Sequence, residues 1–225
     1  MTVVAIKSDP QIKADVLNEL KWDAIVDESK VNVEVHHGIV TLSGTVGAYP
    51  KKLAARDAAH RVYGVLDIVD HLQVRIPTGW TRTDEDIADA ARRALTWDVL
   101  VPDDSITTTV ANGTVTLEGV VDTWTQRADA ERAVHRLTGV RGVVNQITVA
   151  TRPLNAGEIR AQIEGAIERR AEREARHLGV SVKDGVVTLT GTVRSWGEKN
   201  AIERVAGGAP GVRRVDDRTA VDPYA

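Results

Sequence analysis

The chain has 225 residues, of which 42% are hydrophobic and 27% charged, a balance that is typical of a globular protein. It contains no cysteine, so disulfides, thiol nucleophiles and cysteine-ligated zinc or iron–sulfur sites are excluded. Its net charge of −3 argues against nonspecific nucleic-acid binding, which normally needs a clear basic surface, and no nucleic-acid partner is expected.

The N-terminal stretch predicts no export signal. Its apolar run, Val3–Ile6, is too short for the core of a secretory signal. We therefore expect a cytoplasmic protein, or a periplasmic one if a signal segment has been removed. No stretch approaches the roughly 20 apolar residues of a membrane-spanning helix, so any membrane contact is expected to be peripheral.

The first predicted element is an amphipathic helix behind a capping residue. Ser8 is a preferred N-cap and Gln11 follows three residues later, as in a capping box. The same pairing returns at Thr83/Asp86 and Asn155/Glu158. Apolar residues then recur at every fourth position, which indicates one buried stripe. The three stripes are Ile12, Val16, Leu20; Ile87, Ala91, Leu95; and Ile159, Ile163, Ile167.

A β-hairpin is predicted next. Alternating apolar residues lead into a pair that ends in glycine, and Asn-Gly and Asp-Gly supply the positive φ angles of a type I′ turn. The alternating residues are Val31, Val33, Val35; Ile106, Thr108, Val110; and Leu178, Val180, Val182, and the turns are His37-Gly38, Asn112-Gly113 and Asp184-Gly185. The return strand reads GIVTLSG, GTVTLEG or GVVTLTG. Its closing glycine is expected to end the pairing or to permit close packing.

A second helix and a last strand complete the pattern. The helix stripes are Ala55, Ala58, Ala59, Val62; Ala130, Ala133, Val134, Leu137; and Ile202, Val205, Ala206, Ala209. A glycine then stands where a residue after the helix must turn left-handed. The last strands are marked by Leu72/Val74, Ile147/Val149 and Thr219/Val221. The glycines of structural importance are Gly38, Gly44, Gly64, Gly113, Gly119, Gly139, Gly185, Gly191 and Gly211.

One register aligns all of these features. Gly38, Gly113 and Gly185 are separated by 75 and 72 residues, and the glycines after the second helix repeat at the same offsets. Repeats of this length each bury a small core. We therefore predict an α+β protein of three tandem αββαβ domains at 7–76, 82–151 and 154–223. Each domain is expected to be a three-stranded mixed sheet with two helices on one face.

The glycine-bounded V-T-L-x-G strand, the Gly-Val joint after the second helix and the terminal strand resemble those of the OsmY-like BON domain family. The resemblance covers all three repeats. It implies a non-enzymatic bacterial module associated with phospholipid binding, envelope maintenance and osmotic or general stress. It also implies an alternative, since one cytoplasmic relative senses potassium.

The start of the second helix carries the candidate binding positions. An aromatic residue stands near a cation there in each repeat, so a ring can enter a lipid headgroup layer while the cation and helix N–H groups hold a phosphate. The alternative is a hydrophobic staple that fixes how the chain enters the helix. The candidate lipid- or partner-binding residues are Tyr49, Lys51, Lys52, Trp124, Arg127, Trp196 and Lys199.

The remaining aromatic and histidine residues are assigned structural roles. Trp22 and Trp97 end equivalent helices and are expected to cover a small core, and Trp80 is expected to pack between domains. The adjacent His36 and His37 are expected to point to opposite faces of a strand. His60 and His135 end the second helices, where a positive charge suits the helix dipole, but Gly207 replaces them in the third repeat.

These observations lead to a non-enzymatic binding protein without metal or cofactor, since no catalytic or phosphate-loop motif is found. The first hypothesis is peripheral attachment to anionic phospholipid or to a protein partner during envelope or osmotic stress. The alternative is a cytoplasmic ion-responsive protein of potassium type, or a scaffolding protein. The small apolar faces are also compatible with a homo-oligomer.

Overall fold

A computed structural model describes residues 7–150, 156–170, 178–209 and 211–222. The first repeat runs α1 (Asp9–Trp22), β1 (Val31–His36), β2 (Ile39–Val46), α2 (Tyr49–His60) and β3 (Asp67–Val74). The second runs α3 (Asp84–Trp97), β4 (Ile106–Ala111), β5 (Thr114–Val121), α4 (Trp124–His135), β6 (Gly142–Asn145) and β7 (Thr148–Val149). The third runs α5 (Ala156–Arg170), β8 (Gly179–Lys183), β9 (Val186–Val193), α6 (Trp196–Gly207) and β10 (Arg214–Val221).

Each repeat forms its own mixed sheet with the hairpin's return strand in the middle. In the first sheet β2 pairs antiparallel with β1 and parallel with β3, and the third sheet has the same order of strands. The predicted fold of three tandem αββαβ domains is therefore confirmed. Contacts group the chain into two compact units: one combines the first repeat with Thr192–Asn200, and the other combines the second repeat with most of the third, including Ala201–Thr219.

The predicted helix stripes form the cores. Ile12, Val16 and Leu20 are at most 2% exposed, and Ile87, Ala91 and Leu95 are equally well buried. In the third repeat Ile159 and Ile163 are buried, whereas Ile167 and the predicted cap at Asn155/Glu158 lie outside the described side chains. The capping boxes of Ser8 with Gln11 and Thr83 with Asp86 are both formed.

The predicted turns are confirmed as well, since both residues of each pair adopt positive φ angles of 50° to 78°. The second helices end earlier than their apolar stripes suggest. α2 stops at His60, and a turn leads to Gly64, which has a φ of +98°. Val62 therefore reaches the core from this turn rather than from the helix.

The last strand of the second repeat is interrupted, which the sequence did not predict. β6 and β7 both pair parallel with β5, but residues between them leave the ladder. The Arg127 side chain donates from Nε to the Ile147 carbonyl at 3.0 Å and from Nη2 to the Asn145 carbonyl at 3.0 Å. The guanidinium thus donates to backbone carbonyls at the interruption between β6 and β7.

Two of the sequence-based assignments are wrong. Trp22 and Trp97 do not cover a core, because they are 85% and 87% exposed. The rings of His36 and His37 do not diverge, since their centroids are 4.3 Å apart. The reason is that β1 ends at His36, so His37 already has the left-handed turn conformation with a φ of +51°.

An aspartate joins the first helix to the hairpin turn in two repeats. The carboxylate of Asp84 accepts hydrogen bonds from the backbone N–H groups of Asn112 and Gly113, each at 2.8 Å. Asp9 accepts from His37 and Gly38 in the same way, and the Gly38 and His37 N–H groups lower the pKa of its carboxyl group. These hydrogen bonds fix the hairpin turn against the start of the first helix in the same repeat.

The closing glycine of the return strand permits a close approach and does not end the pairing. Gly119 has a φ of +143°, and a Cβ built there would lie 2.1 Å from the Ser105 carbonyl oxygen. β5 nevertheless continues to Val121. A Cβ built at the equivalent Gly44 would likewise lie too close to the Lys30 carbonyl oxygen, at 2.2 Å.

Replacing Gly119 with alanine should destabilise the protein by about 3 kcal/mol, because the backbone at Ser105 must move and the left-handed φ is strained. Urea denaturation measures this loss. Gly79→Ala is the matched control, since nothing lies within 4 Å of a Cβ at Gly79. Equal stability of the two variants would contradict the close approach.

Replacing Asp84 with alanine should cost about 2 kcal/mol, because two backbone donors lose a charged acceptor. The control Asp89→Ala removes an exposed carboxylate from the same helix and should change the unfolding free energy much less. Both are measured by urea denaturation at neutral pH. An Asp84→Ala variant as stable as the control would show that the two hydrogen bonds add nothing.

Candidate functional site

The aromatic residues at the start of the second helices are not hydrophobic staples. A staple requires an apolar residue before the N-cap, but the N-caps here are Ala48 and Thr123. Tyr49 and Trp124 therefore occupy the first helical position. The staple interpretation is wrong for these two repeats, and the aromatic side chains need another explanation.

The cations next to these aromatic residues serve the fold. Lys52 donates from Nζ to the Leu72 carbonyl at 2.7 Å and lies 3.4 Å from Asp70. Arg127, at the equivalent position, donates to the equivalent carbonyl of Ile147. These two side chains tie the second helix to the last strand, and Lys51 is half-buried beside Lys52.

The helix N–H groups already have partners in two repeats. Thr123 Oγ1 accepts from the Gln126 N–H at 3.2 Å, and Ser195 Oγ accepts from the Glu198 N–H at 3.2 Å. The Glu198 carboxylate also accepts from the Arg194 N–H at 2.8 Å. A phosphate at the start of α6 would therefore compete with a resident carboxylate. Binding of lipid or a partner by the seven candidate residues stays a prediction.

Trp196 packs against the core of the first repeat. Its ring stacks on His60, with the centroids 4.3 Å apart and the planes 12° from parallel. Its indole Nε1 is buried and has no hydrogen-bond partner among the described residues. The Nζ of Lys199 lies 5.5 Å from the ring centroid. The tryptophan of α6 thus joins a segment of the third repeat to the first.

Trp124 makes the corresponding contact in the other compact unit. A Cβ built on Gly207, the last residue of α6, would lie 2.8 Å from the Trp124 ring. Gly207 is equivalent in register to His60. In both cases an aromatic residue that begins one second helix therefore lies against the residue that ends another. The absence of a side chain at Gly207 gives the indole room to approach.

His60 is held in its neutral form by this packing. Burial lowers the pKa of its imidazole below 6.5, the nearby Arg56 lowers it further, and Asp57 and Asp67 oppose the shift. The expectation that a positive charge here stabilises the helix end is therefore wrong for His60. The stack with Trp196 is the dominant feature of this position.

Among the described residues, the three large apolar side chains with the greatest exposure, Val99, Trp97 and Trp22, lie at or just after the ends of first helices. Trp97, Val99 and Leu100 are 87%, 94% and 61% exposed. The first repeat has the same arrangement, with Trp22 and Ile25 exposed. Neighbouring exposed apolar side chains often mark contact surfaces, so these two apolar loops are candidate contact surfaces.

The apolar loops are ordered rather than frayed. In the second repeat the Asp98 side chain accepts from the Leu100 N–H at 3.0 Å, and the Val101 N–H donates to the Asp98 carbonyl at 3.0 Å. Val101 itself is buried. In the first repeat Asp23 caps the Ile25 N–H at 3.0 Å, and Val26 is the buried anchor. Each loop therefore presents its apolar residues on a fixed base.

Ile25, Val99 and Leu100 were not predicted as contact residues. A signal was available, because Trp-Asp-Ala-Ile and Trp-Asp-Val-Leu place apolar residues beyond the periodic stripe of a helix that has already ended. The helical period accounts for the apolar residues on the buried face of the helix. Apolar residues that fall outside this period are the ones expected to be exposed.

The described side chains offer no metal centre. No group of three or more His, Asp or Glu residues in the described ranges is placed to hold a metal ion. His36 and His37 lie close together, but the nearby Asp9 carboxylate accepts hydrogen bonds from the His37 and Gly38 N–H groups. Nor does any helix in this part of the chain combine the length and apolarity needed to cross a bilayer.

Comparison with known proteins identifies the repeats. The family model described as "BON domain" matches residues 8–76, 83–151 and 155–223. A protein of Anaplasma centrale, described as "Uncharacterized protein in gshII 5'region", is 32% identical over 117 residues, which are 49% of this chain and 78% of that protein.

Solved structures of CdsD, a structural protein of the type III secretion system of Chlamydia trachomatis, also match. One is 14% identical and covers 93% of this chain and 91% of its own. Another, of the C-terminal domain, is 13% identical and covers 96% of this chain and 100% of its own. Both have a TM-score of 0.27, which is too low to carry information on fold or function.

The imidazole of His60 should titrate below pH 6.5, and Trp196→Ala should bring its pKa back towards 6.5, because burial is the main cause of the shift. NMR titration of the imidazole signals measures both.

The lowered pKa also fixes the sign of the stability effect. The unfolded chain binds this proton more tightly, so the contribution of His60 is fully present above pH 6.5 and is lost as the pH falls through 6.5 towards the folded pKa. An unchanged His60 titration in Trp196→Ala would show that the stack does not cause the shift.

Proposed function

The chain belongs to the BON domain family throughout its three repeats, and on this basis we propose that it is a non-enzymatic binding protein that attaches peripherally to phospholipid bilayers. BON domains occur in stress-related and phospholipid-binding proteins, and a role in envelope or osmotic stress is part of the proposal. The single observation that carries it is the pair of exposed apolar loops at Trp22–Ile25 and Trp97–Leu100.

The composition of these loops suits a bilayer interface. Tryptophan is enriched at the membrane–water boundary, where its ring is apolar and its N–H stays close to water. Neighbouring aliphatic side chains such as Val99 and Leu100 add area that can leave water. Burying one large apolar side chain contributes about 1.5 to 3 kcal/mol. A bilayer contacted by both loops would be bound more strongly than through either loop alone, since the second contact is intramolecular.

Charge plays a smaller part at these loops than apolar burial. Lys21 lies next to Trp22, but Asp98, Asp103 and Asp104 surround the loop of the second repeat. The acidic neighbours weaken attraction to an anionic surface, so attachment through this loop should persist at high salt. Anionic phospholipid is instead the lipid class expected for the cations at the helix starts, and that binding should be sensitive to salt.

A Trp22→Ser/Trp97→Ser double variant should bind vesicles at least tenfold more weakly than the wild type, because each indole removed costs the transfer energy of a large apolar side chain. Co-sedimentation with phosphatidylcholine vesicles, with and without phosphatidylglycerol, measures the partition. The loss should be similar at low and high salt. A blue shift of tryptophan emission on binding, present in the wild type and absent in the double variant, is a second readout.

Trp80→Ser is the matched control, since Trp80 is an exposed tryptophan outside both loops. It should bind vesicles like the wild type. A Tyr49→Ala/Trp124→Ala/Trp196→Ala variant, checked for folding by circular dichroism, tests the helix starts separately. Equal pelleting of wild type and the double variant would overturn the role of the loops. A wild type that pellets with neither kind of vesicle would overturn bilayer attachment.

A further inference from the structure

A cleft of about 520 Å³ lies in the compact unit that contains the second repeat. Trp124 and Arg127 of the second repeat and Glu203, Arg213 and Arg214 of the third line it. We propose that this cleft binds a small organic phosphate, that is, a phosphate group joined to an apolar or aromatic substituent. The proposal concerns a site separate from the apolar loops and does not rest on bilayer attachment.

The charged lining favours an anionic ligand. Three arginines and one glutamate line the cleft, which gives these side chains a net charge of +2 in one confined space. The chain as a whole is negative, at −3, so this concentration of arginine is not a consequence of composition. Guanidinium groups bind phosphate with two parallel hydrogen bonds, which is why arginine is the usual residue for recognising oxyanions.

Arg213 is the strongest individual indication. Its stem crosses Gly185, where a Cβ would lie 2.8 Å from the Arg213 Cδ, and its Nη1 donates to the Asp184 carbonyl at 3.2 Å. Its Nε is buried and has no acceptor among the described residues. A buried donor of a charged group without an acceptor is unfavourable, and an oxyanion in the cleft would supply one.

Arg214 and Arg127 complete the positive side of the cleft. Arg214 follows Arg213 directly, is exposed, and lies near enough to Asp216 to help lower the pKa of that carboxyl group, after the larger effect of Arg218. Arg127 uses Nε and Nη2 for the carbonyls of Ile147 and Asn145, which fixes its charge at the cleft wall. An exposed arginine and a fixed one thus accompany Arg213 in the lining.

The rest of the lining explains why inorganic phosphate alone does not fill the site. Its volume is in the range of small-molecule sites and is much larger than one phosphate. Apolar side chains form the remaining wall: Trp124, Ile147, Val149, Val186 and Val215. The Trp124 ring provides a flat surface on which an aromatic or apolar substituent can pack.

Phenyl phosphate is the probe that contains both halves of the proposed ligand. Calorimetric titration of the full chain should show saturable binding of phenyl phosphate, weaker binding of inorganic phosphate and no binding of phenol. Arg214→Gln should weaken phenyl phosphate binding about tenfold or more, because one guanidinium contact to the phosphate is lost. Arg214 is exposed, so this variant should fold like the wild type.

Arg92→Gln is the matched control, because it removes an exposed arginine outside the cleft and changes the net charge equally. It should bind phenyl phosphate like the wild type. Arg213→Lys keeps the charge but lacks Nε, and it should also lose affinity, because the proposed oxyanion accepts from that donor. No saturable binding by the wild type, or equal affinity of Arg214→Gln and Arg92→Gln, would overturn the proposal.

Two further arms distinguish a soluble ligand from a lipid headgroup. Dihexanoyl phosphatidic acid, kept below its micelle concentration, should compete with phenyl phosphate. The Trp22→Ser/Trp97→Ser variant should retain phenyl phosphate binding even if it no longer binds vesicles. Binding of phosphatidic acid vesicles without binding of either soluble phosphate would overturn the small-ligand site, whatever the result for bilayer attachment.

Discussion

The burial of short aliphatic side chains between one face of a small sheet and two helices is the interaction on which the rest of this structure depends. The chain has no phenylalanine, and the largest fully buried side chains are leucine and isoleucine. A repeat of this size buries a modest fraction of its surface and has little stability in reserve. Each repeat therefore adds local devices, such as the aspartate that joins α3 to the turn at Asn112-Gly113 and the glycine that lets two backbones touch.

Because the cores are aliphatic, the tryptophans are used elsewhere. Trp124 and Trp196 begin second helices and lie against residues that end other second helices, so they serve contacts between repeats. Trp22 and Trp97 end first helices and point into solvent from ordered loops. One residue type thus has two roles, and its position in the repeat determines which. The proposed bilayer attachment follows from the second group.

Equivalent positions also changed their roles as the repeats diverged. Asp9 and Asp84 hold the hairpin turn in the first two repeats, whereas the third has Ala156 at that position and Arg213 donating to the Asp184 carbonyl. The turn is therefore held from another direction. Arg213 lines the positive cleft together with Trp124 and Arg127 of the second repeat.

The sequence by itself determined the repeats, the helices, the hairpin turns and the buried stripes, because these depend on local φ preferences and on periodicities of two and four residues. Only the tertiary structure decided that Lys52 donates to the Leu72 carbonyl, that Trp196 stacks on His60, and that Trp97 remains in solvent. Contacts between residues far apart in the chain leave no periodic mark. The predicted binding residues were for this reason chosen by chemistry alone, and the fold uses several of their side chains for its own support.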